Sequence, residues 1–469
     1  MLLGIDLGTT NIKALVTDLA GRRLGEGTCA VRLFDLGDGG VEQDLEEIWQ
    51  AALSAIRQAV APVVAAEIQA VGVSSQGGAL QMIDPQARPL GRVVSWLDQR
   101  GRPFDDALTA ELGPQWFARR IGHARSGLAI GQLLRLRRQA PALVAPPNRI
   151  GFVGDLFVQR LCGEAGHDGT SCGLTCLYNP AQRDYDRDIL ERLRVTADQL
   201  PALISPRQSR GGLSPTLARQ TGLRAGTPVS AAIHDQYAAA LATGGVEPGT
   251  AVIGTGTAWV LLAVSDSPTR PVTDGAFVCH HVVEGLWGQI ISLSYAGSLL
   301  ARALERSGLE AQNAAELDRV LESAPPGSGG LQCRLSGPGA AHLGAGAIER
   351  LLEAQRTHSP GQVVRAVLEG LAYELKRHID LLRQTGLPLG QLLLSGRAAA
   401  SRVTAQLLAA VTGLPLACAD NCGGSPLGAA ILARGLLEPA RSLASLSREM
   451  IPAARRVEAG ALAACYHKQ

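Results

Sequence analysis

Neither sign of charge dominates this 469-residue chain: 44 Lys and Arg stand against 42 Asp and Glu, a formal net charge of +2. The cations are nearly all Arg, scattered without a sustained block or stripe. That excludes the electrostatic footprint of a nucleic-acid or anionic-membrane binder. Apolar runs long enough to span a bilayer are also missing. Met1-Leu2-Leu3 enters a strand-like run without a basic leader or a small-residue cleavage site, which predicts a cytoplasmic protein. The nine cysteines are odd in number, and the CxxxC pairs Cys172/Cys176 and Cys418/Cys422 have no partner pair at zinc-finger spacing. Buried, reduced thiols are expected. His280 and His281 would point to opposite faces of a strand, so no shared role follows for them. The length itself predicts two large domains.

Strands alternate with helices along the chain. "GIDLGTTNIKALVTD" (4–18) belongs to a hairpin with strands at 2–6 and 12–17 and a turn at Gly8-Thr9-Thr10-Asn11. In the second strand Ile12, Ala14 and Val16 alternate against Lys13, Leu15 and Thr17. An amphipathic helix is predicted over 44–60, with Asp44 and Glu47 forming a capping box and Ile48, Ala51, Ala52, Ala55 and Ile56 on one face. "IQAVGVSSQGG" (68–78) reads as a buried strand entering a small-residue loop. A long helix over 359–386 has Ser359 as cap, Pro360 in its first turn and Gly386 at its exit, with Val363, Val367, Leu371, Leu375, Ile379 and Leu382 as its buried stripe. A strand at 389–396, a helix at about 401–412 and "GGSPLGAAILARG" (423–435) continue the alternation, which points to an α/β fold.

One stretch echoes the opening. "VIGTGTAWVLLAV" (252–264) repeats strand, Gly-Thr turn, strand, with Gly254-Thr255 corresponding to Gly8-Thr9. Glycines let backbone N–H groups approach phosphate oxygens, and Thr hydroxyls add donors without bulk. A polyphosphate between two facing halves would account for both turns. Asp6 interrupts the first strand with a carboxylate, which is costly to bury without a partner. Asp235, in "AAIHDQYAAALATGG" (231–245), falls where a strand ends and a helix begins. It reads either as a helix N-cap or as a general base at a strand terminus, and its company with both hairpins favours the base.

"GIDLGTTNIKALVTD", "HDQ", "GTGTAW" and "GSPLGAAILA", in this order and spacing, resemble the FGGY family of carbohydrate kinases, nearest to its xylulokinase-like members. The resemblance covers nearly the whole chain. It implies an α/β fold of two actin-like, ribonuclease H-like domains with an interdomain cleft: an N-terminal domain over 1–243 and a C-terminal domain over 244–469. It implies an ATP-dependent, Mg²⁺-using kinase of a ketose or polyol, a pentulose foremost, with a homodimer unsurprising. By the same resemblance Asp6 holds Mg²⁺, while Thr9, Thr10, Asn11 and Lys13 meet the γ- and β-phosphates. Gly254, Thr255 and Gly256 form the second phosphate loop; Gly297 in "SYAGSLLARALE", Gly396 and Ser401 lie towards the nucleotide. Asp235 is the base, and Gln76, Trp96, Asp98 and Gln236 join it in the acceptor site.

Some segments depart from the family pattern. Gly77-Gly78 stands where xylulokinases commonly carry Met-His. "SGRAAAS" (395–401) stands where the adenosine loop usually reads Gly-Gly-Gly-Ala, and 333–351 is shorter and less polar than its counterpart. The alternatives are a catalytically weak sugar-binding or regulatory protein of the same fold, and another actin-like ATPase. Intact Asp6, Asp235 and both turns argue against the first, and an acceptor-hydroxyl base argues against the second.

Overall fold

The computed structural model describes residues 1–209, 211–256, 258–293, 296–335, 357–419, 423–460 and 462–466. Thr257, Ser294, Tyr295, Cys422 and residues 336–351 of the 333–351 stretch lie outside the described residues. The elements that position the site are, in chain order, β1 (Leu2–Leu7), β2 (Asn11–Thr17), β3 (Arg23–Ala30), α1 (Leu45–Val60), β4 (Ala70–Ser75), β5 (Pro228–His234) and α2 (Asp235–Thr243). They continue with β6 (Thr250–Thr255), β7 (Trp259–Ser265), α3 (Pro360–Gln384), β8 (Gln391–Gly396), α4 (Arg402–Thr412), β9 (Leu416–Cys418), α5 (Gly424–Leu437) and β10 (Arg455–Val457). Two compact units result: Met1–Val246 with Asp266–Gln289 and Gly423–Ile451, and Glu247–Ser265 with Ile290–Cys422 and Pro452–Gln469.

In the first unit the sheet runs Leu203–Ile204, His167–Asp168, β5, β4, β1, β2, β3, with Gly211–Gly212 paired onto β5. β1 and β2 are antiparallel, whereas β1, β4 and β5 run parallel. The predicted apolar face of α1 is buried, and Asp44 caps the helix by accepting from the N–H groups of Glu46 and Glu47. Glu47 does not complete the expected capping box. Its carboxylate accepts instead from the Arg32 backbone N–H at 2.9 Å and from the Arg32 guanidinium, whose charge strengthens the second bond. The strict alternation expected of β2 also gives way: Lys13 is exposed, but Leu15 and Thr17 are buried with the rest. Leu15 lies at the start of α5, its Cδ2 3.1 Å from where a Cβ on Gly423 would sit.

α5 lies on this sheet without intervening side chains. A Cβ on Gly4 would stand 1.9 Å from the Pro426 carbonyl oxygen, and one on Gly72 would stand 1.7 Å from that of Ala429. On its other flank, a Cβ on Gly428 would stand 1.8 Å from the Ala238 carbonyl of α2. The small residues of "GSPLGAAILARG" are therefore a packing requirement on both sides.

The second unit repeats the opening arrangement. β6 and β7 form an antiparallel hairpin, β8 lies parallel to β6, and the sheet continues through β9 to β10. The echo in the sequence is thus a repeated hairpin whose first strand takes a parallel neighbour. Ser359 caps α3, with Gln362 returning the bond to the Ser359 N–H, and the predicted stripe from Val363 to Leu382 is buried. Inside this unit Arg365 and Glu369 form a buried ion pair at 3.0 Å, which the Tyr466 hydroxyl joins. A single helical turn, Arg397–Ala400, intervenes between β8 and α4.

Candidate active site

Strand register assembles the acidic part of the site. Asp6, 7% exposed, pairs with Lys13 across the hairpin and with Ser74 on β4. Ser74 Oγ–H donates to Asp6 Oδ1 at 2.8 Å. Burial first, and then the charge of Asp235, push the Asp6 pKa upward, against the Ser74 bond and Lys13. Burial also raises the Asp235 pKa, opposed by bonds from Gln236 and by Lys13. Two carboxylates thus share one nearby ammonium, a set of hard oxygens short of positive charge, and a divalent cation fits it. Among the described residues no group of three or more His, Cys, Asp or Glu could hold a metal.

Asp235 opens α2, but it is not the cap. The cap is His234, whose Nδ1 accepts from the Gln236 N–H at 3.4 Å. The Asp235 side chain stays 26% exposed, with Oδ1 3.4 Å from His234 Nε2 and accepting from the Gln236 side-chain amide at 3.2 Å.

The first turn and the segments that carry Gln76 and Trp96 are joined through one hydrogen-bonded ring. Thr9 Oγ1–H donates to Gln76 Oε1 at 3.1 Å and accepts from Trp96 Nε1–H at 2.9 Å. Gln76 Nε2–H donates to Gln43 Oε1 at 2.9 Å, and Gln43 Nε2–H closes the ring on the Thr9 carbonyl, also at 2.9 Å. Trp96 is 41% exposed rather than a core residue. Thr10 is exposed and its hydroxyl accepts from the Asn11 amide at 3.1 Å. Asp98 is largely committed within its loop. Its carboxylate takes the Arg100 guanidinium at 2.6 Å, the Val41 N–H at 3.0 Å and the Gln132 amide at 3.0 Å.

In the second unit Thr255 lies opposite Gly396 in the β6–β8 register. Its hydroxyl donates to the Ser395 carbonyl at 2.6 Å and accepts from the Ala398 N–H at 3.1 Å, so the second turn is tied to the 395–401 loop. Gly396 has φ of 86° and sits so close that a Cβ would be 2.7 Å from the Thr255 carbonyl oxygen, which only glycine accommodates. Gly254 is partly buried, Gly256 is exposed, and Gly297 lies in the first turn of the helix Ala296–Arg306. Ser401 is fully buried, caps α4 and donates to Asp318 Oδ1 at 2.5 Å.

Residues 1–242 match the N-terminal domain of the FGGY family of carbohydrate kinases, and residues 249–434 match its C-terminal domain. The chain belongs to that family. A glycerol kinase of Gloeobacter violaceus is 31% identical over 434 residues, covering 88% of this chain and 84% of that one. A xylulose kinase of Escherichia coli is 28% identical over 450 residues, covering 95% and 92%. The crystal structure of a xylulose kinase from Rhodospirillum rubrum superposes with a TM-score of 0.86 at 22% identity, covering 100% and 96%. The kinase therefore has the actin-like ATPase fold of these neighbours, and its family consists of ATP-dependent sugar phosphotransferases. No helix among its described residues is long and apolar enough to cross a membrane.

The sequence reading singled out neither Ser74 nor Gln43, and it gave His234 no role although it quoted "HDQ". Ser74 could have been found from its place in "SSQGG", level with Asp6 once β1 and β4 pair. Gln43 carries no such signal, because its partners come from segments far away in sequence.

Proposed function

We propose that this kinase transfers the γ-phosphoryl group of Mg-ATP to a hydroxyl of a ketose or polyol, a pentulose foremost, with Asp235 as the general base. The observation that carries this reading is that Asp235 leads α2 while His234 performs the capping. A carboxylate that is not needed as the cap, is partly open to solvent and is raised in pKa is suited to take a proton from an attacking hydroxyl. Asp6 would hold Mg²⁺, directly or through water, and the bound ion would neutralise phosphate charge.

Thr10, Asn11 and Lys13 would face the phosphates, with Thr9 carried by the ring that also holds Gln76 and Trp96. Gly254, Thr255 and Gly256 would present backbone amides as the second phosphate loop. Thr255 fixes its course through Ser395 and Ala398. Gly297, Gly396 and Ser401 would shape the nucleotide side. Gln76, Trp96 and Gln236 would contact the acceptor, and Asp98 would hold the loop that presents Trp96. A cytoplasmic enzyme without nucleic-acid or membrane partners, for which a homodimer would be unsurprising, completes the proposal.

The test is coupled ADP production with Mg-ATP over D-xylulose, L-xylulose, D-ribulose, sedoheptulose, glycerol and the pentitols, run in parallel on Asp235→Asn. One acceptor should raise turnover well above the background ATPase rate, and the response should disappear in the variant. ATP binding with no response to any acceptor would favour a sugar-binding protein of the same fold. A response that survives in Asp235→Asn would remove Asp235 as the base.

A further inference from the structure

We propose that His234, seated in the space left by Gly77, is a positioning residue that holds one oxygen of Asp235 and leaves the other for the acceptor. This rests on the reading of Asp235 as the base. The β4–β5 register places Ser75 level with His234, so the chain leaving β4 passes beside the imidazole. A Cβ on Gly77 would lie 2.7 Å from His234 Cδ2, 2.8 Å from Nε2 and 2.8 Å from Leu174 Cβ. The imidazole therefore fills the volume that any other residue at 77 would claim.

The ring also has a defined tautomer. It is 7% exposed, and burial keeps it neutral, with its pKa pushed down to about 3. A neutral imidazole carries one N–H. Because Nδ1 accepts the capping bond from Gln236 N–H, that proton is on Nε2, which stands 3.4 Å from Asp235 Oδ1. The Gln236 side-chain amide reaches the same oxygen at 3.2 Å. The Gln236 amide donates to Oδ1, and the Nε2 edge of the imidazole stands beside the same oxygen without an aligned hydrogen bond. Catalytic contacts of this kind often align only when substrate binds.

The experiment compares wild type, His234→Asn, His234→Gln, Gly77→Ala, the double variant Gly77→Ala/His234→Asn, and Asp235→Asn. Asn is a favoured N-cap residue, so His234→Asn keeps the helix start while losing the reach to Asp235. With Mg-ATP and the best acceptor of the panel, His234→Asn should lose about tenfold or more in kcat, with both KM values held within about twofold. His234→Gln, whose amide can reach Asp235, should recover part of that loss. Gly77→Ala should show the same kcat loss in wild type and add nothing in the His234→Asn background, where the clash is gone. Wild-type kcat in His234→Asn, or simple additivity of the two substitutions, would overturn the proposal while Asp235→Asn still reports on the base. Imidazole nitrogen NMR of the full chain supplies a readout without acceptor: an Nε2–H tautomer at His234 is expected, and an Nδ1–H tautomer would overturn the proposal.

Discussion

A carboxylate in the first turn of a helix is commonly occupied in satisfying the orphan N–H groups there. Here the residue before it does that, and Asp235 is left with a shifted pKa and partial exposure. Since the base must be ionised, kcat/KM should fall on the acid side at a pH above the ordinary carboxylate range. Lys13 pulls the pKa of both Asp6 and Asp235 down, so Lys13→Met should move that acid limb to higher pH. A pH–rate profile of the variant checks the sign. Asp155 offers a second test, away from the chemistry. It is buried, accepts from the Phe152 N–H at 2.7 Å, and is pushed up to about 8 from 3.8 by burial. Between those values the folded state holds a proton that the unfolded chain releases. Stability from this group is therefore complete below the lower value and declines as pH rises to the upper one. Asp155→Asn keeps an acceptor for Phe152 and should flatten the fall in melting temperature between pH 5 and pH 8.

At the scale of elements, the parts fixed by near neighbours were legible in the sequence. The cap and stripe of α3 and the two hairpins follow from residues a few places apart. The Glu47 misreading shows the limit, since its partner Arg32 lies outside any local window. α5 was legible as a helix, but not as one laid directly on β1 and β4. Small residues show that something comes close, without saying what. Because Gly72 meets a backbone carbonyl, which cannot rotate away, Gly72→Ala should destabilise by at least about 1–3 kcal/mol, measurable by urea unfolding. Ser401→Ala should cost about 1 kcal/mol through loss of the α4 cap, with the ATP KM reporting any further contact with nucleotide.

At the scale of the whole chain, motif order and spacing identified the family and brought Asp6, Asp235 and the two turns into view. The ring through Gln43, Gln76 and Thr9, with Trp96 bonded to it, was not legible, because it is built from segments that meet only after folding. Nor was the discontinuity of the first unit, which takes α5 from beyond the second hairpin. A fragment of residues 1–246 should therefore lack a cooperative thermal transition by circular dichroism. Appending residues 423–451 through a flexible linker should restore one, because it returns the helix that Gly4 and Gly72 are shaped to receive.

The same discontinuity sets a timetable for biosynthesis. At ribosomal rates of about 5–20 residues per second, the interval between emergence of β4 and emergence of α5 is roughly 20–70 s. Throughout it, the glycine-lined face of the nascent sheet has no cover. The amino-terminal half thus completes its fold only when the polypeptide is nearly finished.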